Sequence, residues 1–279
     1  MGAKATPPFL RSRNVAARVA VIGVPLDHNS SFLRGPRRGP EAIRRHLLSG
    51  SMNWTSESGV DLQAHEGWSD WGDVDCRGEA GDMARIEAVA AEAWRRGRLL
   101  SLGGDHSITA PLLRGRVRDG HPLTVLHFDA HPDLYPELDG NRDSHASPFH
   151  RVMEEGLASR LVQVGIRSLN EVQAAAARRF GVEIVRPDGL SDWPGLVGTD
   201  PVYVSFDMDA LDPAFAPGVS HHEPGGLSVR EALQALRRVQ APIIGADIVE
   251  LNPDRDPDGR TAAVGAKLVK EFLSRLVQP

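Results

Sequence analysis

The chain has 279 residues, 41% hydrophobic and 25% charged, and its 32 Lys and Arg against 37 Asp and Glu leave a formal net charge of −5. That is the composition of a folded protein with a full core, and a mildly acidic chain without a basic run has no electrostatic reason to bind nucleic acid or an anionic membrane surface. The single cysteine, Cys76, excludes an intramolecular disulfide. The opening MGAKATPPFLRSRN lacks the apolar length of a signal peptide, so the expectation is a cytoplasmic protein.

Residues 1–17 read as a partly flexible N-terminal extension and 18–279 as one domain. Strand signals fall at 18–23, 99–102, 123–129, 161–166, 202–207 and 243–249. Each is a short apolar run of the kind that suits a strand covered on both faces. Helical patterns are predicted at 39–48, 83–96, 107–118, 147–155, 170–180, 228–239 and 261–276. The last is the clearest, with Ala262, Ala266, Val269, Leu273 and Leu276 at helical spacing. Alternation of strand and helix predicts an α/β fold: a three-layer α-β-α sandwich around a mainly parallel sheet. The irregular stretches 25–40, 133–146 and 211–226 are rich in Gly, Pro, Asn, Asp and His. Ligands of open parallel sheets bind where such loops gather, at the carboxyl ends of the strands.

Three strand ends carry unusual chemistry: Gly103-Gly104-Asp105-His106-Ser107, Asp129-Ala130-His131-Pro132-Asp133 and Ser205-Phe206-Asp207-Met208-Asp209. Aspartates closing buried strands are costly unless a positive charge compensates them. In extended backbone residues i and i+2 share a side, so Asp129 converges with His131 and Asp207 with Asp209. Four carboxylates and two imidazoles, with no thiolate, disfavour a structural zinc site and suit Mn²⁺. The number of carboxylates exceeds what one ion needs and points to two.

These motifs, with Gly225-Gly226-Leu227-Ser228, the DIVELNP segment at 247–253 and the final helix, resemble the ureohydrolase family of arginases and agmatinases over nearly the whole chain from Val19. The resemblance implies two Mn²⁺ per chain. His106, Asp129, Asp133 and Asp207 would hold one, and Asp129, His131, Asp207 and Asp209 the other, with Asp129 and Asp207 bridging. It also implies that His145 shuttles protons, that Glu250 pairs with the substrate guanidinium, and that the chain forms a homo-oligomer, a trimer or hexamer.

The segments at 23–36, 140–156 and 218–228 are similar to plant-type arginases. Val219-Ser220-His221-His222 replaces the usual Thr-Gly-Thr-Pro turn, and Asn170 stands where animal arginases carry an acidic group. Asn141, Asn170 and His222 are therefore candidates for contact with the far end of a small guanidino substrate, with Arg142 a further possibility for an α-carboxylate.

Two divalent ions would lower the pKa of a water molecule far enough to supply a nucleophile at neutral pH. Asp209 or Asp207 would orient that nucleophile, and the Glu250 carboxylate would fix the guanidinium through two parallel hydrogen bonds. The expected reaction converts L-arginine to L-ornithine and urea, with agmatine to putrescine and urea as the alternative. A single-zinc deacetylase-like enzyme would need fewer carboxylates, and a non-catalytic binding protein would be expected to lack a ligand.

Overall fold

The structure is a computed structural model and describes residues 16–116 and 122–278. Most of the proposed 1–17 extension and residues 117 and 118 of the helix expected at 107–118 lie outside them. Eight strands form one all-parallel sheet: β1 (Val19–Val24), β2 (Trp68–Asp73), β3 (Arg98–Gly103), β4 (Thr124–Phe128), β5 (Arg160–Val164), β6 (Glu183–Val185), β7 (Val202–Asp207) and β8 (Ile243–Val249). Their order is β2-β1-β3-β8-β7-β4-β5-β6. The helices are α1 (Gly39–Leu47), α2 (Asp82–Arg96), α3 (Thr109–Arg114), α4 (Pro148–Glu154), α5 (Glu171–Phe180), α6 (Val229–Arg237) and α7 (Arg260–Leu276).

Side-chain alternation along each strand builds two cores. Val19, Val21, Leu100, Leu102, Val204, Phe206 and Ile248 pack with Ile43 of α1, Leu233 of α6 and Phe272 of α7. On the other face, Ala20, Ile22 and Leu99 meet Ile86 of α2 and Leu112 of α3, while Val125 and Leu161 meet Phe149 of α4 and Ala177 of α5. The sandwich therefore places α1, α6 and α7 on one side and α2 to α5 on the other.

Two strands, β2 and β6, were not foreseen. Both lie at the sheet edges, with one neighbour each. β2 reads WSDWGD, and its buried Asp70 is met by Arg44 of α1 through Nε and Nη2, both at 2.8 Å. β6 has three residues, none fully buried. Neither shows the continuous apolar run of a doubly covered strand.

The candidate metal centre

The four central strands β3, β8, β7 and β4 deliver every motif to one end of the sheet. His106 follows β3 in a 3-10 turn capped by Asp105, which accepts the Ser107 N–H at 3.1 Å. Gly104 is obligatory, because a Cβ there would lie 1.8 Å from the Leu26 carbonyl oxygen. Asp207 ends β7 and accepts the Asp209 N–H at 2.7 Å, turning Asp209 inward. Asp209 in turn accepts the Ala130 N–H at 3.0 Å, tying the β7 loop to the β4 loop.

Two imidazole-headed corners result. His106 Nδ1 faces carboxylate oxygens of Asp129, Asp133 and Asp207 at 3.2, 3.1 and 3.1 Å. His131 Nδ1 lies 3.0 Å from Asp209 and 3.4 Å from Asp129. Asp129 is common to both, turning Oδ2 to His106 and Oδ1 to His131.

The donor chemistry fits a cation. Ser205 Oγ donates to Asp247 Oδ1 at 2.6 Å, so at 2.9 Å it accepts from His106 Nε2–H. That leaves His106 Nδ1 as a lone pair, fully buried, without a hydrogen bond, and aimed at three carboxylate oxygens. Burial raises the pKa of Asp207, Asp209 and Asp133, repulsion from Asp129 adds to it, and Asp133 reaches about 7. Such repulsion is relieved by positive charge at the lone pairs' common focus.

Beneath the carboxylates lies a polar row that the motifs do not announce. Ser101, Asp247, Ser205, His127 and Gln163 stand in register across β3, β8, β7, β4 and β5. Asp247 accepts from Ser205, from Tyr203 at 2.7 Å and from Thr109 at 3.0 Å. Gln163 Nε2 donates to His127 Nδ1 at 3.0 Å and to the Pro132 carbonyl at 2.6 Å. His127 then donates from Nε2 to Asp129 Oδ2 at 2.7 Å. Burial lowers the His127 pKa to about 4 against the pull of Asp129, which keeps the ring neutral. The signal for this row was present as isolated polar residues at alternating positions inside apolar strands.

A cleft of about 250 Å³ opens over these groups, lined by His131, Asp133, Asp207, Asp209, His145 and Glu250, with Ser31, Tyr135, Asn170 and His221 on its walls. Glu250 directly follows β8 with φ of 63°, and Asp133 has φ of 51°. Both hold the left-handed backbone that non-glycine residues rarely adopt, at positions where the side chain must face the site. Glu250 Oε1 accepts the His106 N–H at 3.0 Å and contacts His145 Nδ1 at 2.9 Å. Its Oε2 is buried and unpartnered. One oxygen remains free, where two parallel bonds were expected, on a residue that lines the cleft. Burial disfavours charge on His145, but Glu250, Asp133 and Asp105 prevail and push its pKa up to about 9.

The far-end candidates separate. Asn170 lines the cleft, its Oδ1 capping α5 at the Gln173 N–H (3.1 Å) and its amide meeting the Tyr135 hydroxyl. The Asn141 amide donates to Asn29 Oδ1 at 3.0 Å, and the residue is not among those lining the cleft. His222 is exposed and bonded to the Pro217 carbonyl at 2.7 Å, likewise outside the cleft lining. His221 takes the wall position, with its ring 5.3 Å from that of His145. Arg142 pairs with Glu154 at 3.1 Å and does not line the cleft.

The profile of the Arginase family matches residues 17–274. Arginase 1, mitochondrial, from Arabidopsis thaliana is 46% identical over 93% of this chain and 81% of its own. Arginase 2, chloroplastic/mitochondrial, from the same plant is 44% identical over the same shares. Agmatinase from Photorhabdus laumondii is 37% identical over 92% of this chain and 86% of its own. The solved arginase from Medicago truncatula superposes with a TM-score of 0.86 at 42% identity, covering 94% of this chain and 88% of that one. The plant names overturn the cytoplasmic expectation, since these relatives are organellar proteins. Among the described residues, no helix is long and apolar enough to cross a membrane.

Proposed function

The chain belongs to the arginase family, and from that premise we propose that it is a binuclear manganese hydrolase converting L-arginine to L-ornithine and urea. The observation that carries this reading is the division of Asp129 between two imidazole-headed corners, at a cleft that Glu250, with its Oε2 unpartnered, also lines. His106, Asp129, Asp133 and Asp207 would hold one ion, and Asp129, His131, Asp207 and Asp209 the other. When bound, the ions supply a water molecule with a lowered pKa.

The chain's own groups do the rest. Glu250 Oε2 accepts a guanidinium N–H in a charge-assisted bond, while Oε1 stays committed to His106 and His145. That division orients the guanidinium and leaves His145 beside it, able to hand a proton to the departing amine. Buried carboxylates around a cation also favour a cationic substrate group.

One observation favours the agmatine reading: among the described residues lining the cleft there is no Lys or Arg to meet an α-carboxylate. Arginine therefore requires neutral donors for that group, and Ser168, Tyr135 and Asn170 are present. Urea release from arginine, agmatine and 3-guanidinopropionate, measured side by side with Mn²⁺ supplied, tests the assignment. We expect the highest kcat/KM with arginine. Turnover of agmatine alone would replace arginine by agmatine, and no urea from any of them would overturn the function.

A further inference from the structure

His145 has both ring nitrogens engaged, and they face opposite ways. Nδ1 lies 2.9 Å from Glu250 Oε1, inside the site, and Nε2 lies 2.8 Å from Ser31 Oγ. The His145 side chain is only 10% exposed, whereas Ser31 is an exposed residue on the cleft wall. The imidazole thus bridges a buried carboxylate and the hydroxyl of an exposed residue on the cleft wall.

Ser31 is placed by construction. Two residues earlier, Asn29 has every polar group occupied. Its N–H donates to Asp105 Oδ2 at 3.1 Å, and its side-chain amide donates to Ser107 Oγ at 3.1 Å. Its Oδ1 accepts from Asn141 at 3.0 Å, and its carbonyl accepts the His145 N–H at 3.2 Å. The loop bearing Ser31 is therefore clamped to the loop that presents His106 and to the segment that presents His145. Fixed backbone on both sides gives the hydroxyl a defined position against the ring.

We propose, building on the arginase-family reading above, that Ser31 carries protons between His145 and bulk water. With the imidazole charged, Nε2–H donates to Ser31 Oγ. As that proton moves to Oγ, the serine's own proton passes to an adjacent water, leaving a neutral ring whose Nε2 accepts from the renewed hydroxyl. The reverse sequence recharges the ring, and Ser31 ends each transfer unchanged. The overall reaction is proton-neutral, but the incoming water gives up its proton at one stage and the departing amine takes one up at another, so a path from His145 to solvent lets the ring discharge and recharge between the two. Ser31 acts through His145 and is a positioning residue for that exchange.

The test compares wild type, Ser31→Ala and Ser31→Thr, each loaded with Mn²⁺ and checked for equal metal content and melting temperature. In dilute buffer we expect Ser31→Ala to lose about tenfold or more in kcat with KM within twofold, a scale set by general acid–base transfer. Added imidazole buffer should restore kcat in Ser31→Ala in proportion to its concentration and leave wild type unmoved. Ser31→Thr, which keeps the hydroxyl, should recover most of the loss. An unchanged kcat, a change confined to KM, or a loss that buffer does not rescue would overturn the relay while leaving the function standing. A wild type that releases no urea from any guanidino substrate would overturn both.

Discussion

A buried histidine has two nitrogens to account for, and at His127 the accounting is complete. Gln163 uses one amide hydrogen on Nδ1 and the other on the Pro132 carbonyl, so Nε2 must carry the proton given to Asp129. The ring stacks on Phe149 at 3.8 Å, which holds its plane. Partners of this kind orient a metal ligand and tune its basicity, and their loss typically weakens metal binding about 10- to 100-fold. His127→Phe keeps the ring and removes the donor. We expect Mn²⁺ affinity to fall within that range with the fold intact, and Gln163→Leu to weaken it less. Titration against a competing chelator measures both, and wild-type affinity in His127→Phe would exclude the role. The DAHPD motif was legible because its three ligands lie close in sequence. The row below it was not, because His127, Ser205 and Asp247 become neighbours only through the strand order. The left-handed backbone at Asp133 and Glu250 likewise leaves no mark when the residue is not glycine.

Among the elements, α2 begins on a carboxylate that serves as its anchor. Asp82 is fully buried and accepts the N–H groups of Arg77, Gly78 and Glu79, with Arg85 one turn on. Burial raises its pKa, but the backbone donors and Arg85 outweigh that and bring it down to about 2. A depressed carboxylate contributes stability above its unfolded value of about 4 and loses it as pH falls towards 2. Asp82→Asn should therefore cost on the order of 2 kcal/mol at pH 7, and less at pH 3. Urea midpoints for both proteins at the two pH values check this, and a gap that does not narrow on acidification would refute it. Among the described residues the seven α-helices and the six inner strands were readable, because helices keep an apolar stripe and doubly covered strands an apolar run. The edge strands β2 and β6 escaped for the converse reason. With a single neighbour, β2 tolerates Asp70 and Asp73, which answer to Arg44 of α1, a partner set by packing and invisible to periodicity.

At the scale of the molecule, the site exists only when the sheet is complete, since its groups run from His106 to Glu250 and meet through β3, β8, β7 and β4. Cations that bind this arrangement but not the unfolded chain stabilise the fold, by about 2.7 kcal/mol at a free concentration one hundred times Kd. Without cations, the site's polar groups hold extra protons. Burial works against charge on His131, yet Asp209 and Asp129 prevail and raise it to about 12, while Asp133, raised by burial and by Asp129, reaches about 7. His145 is pushed up to about 9 in the same way by Glu250. Raised folded-state values contribute stability below the unfolded pKa and lose it as pH climbs through the folded one, so the chelated protein should weaken from pH 6.5 to 8.5. Metal binding runs the other way over this interval, because it requires these ligands deprotonated. The gap in melting temperature between Mn²⁺-loaded and EDTA-treated protein is therefore expected to widen from pH 6.5 to 8.5. Thermal melts of both forms at each pH decide the matter, since a gap that stays constant or shrinks would mean that cations and protons do not compete for this cluster.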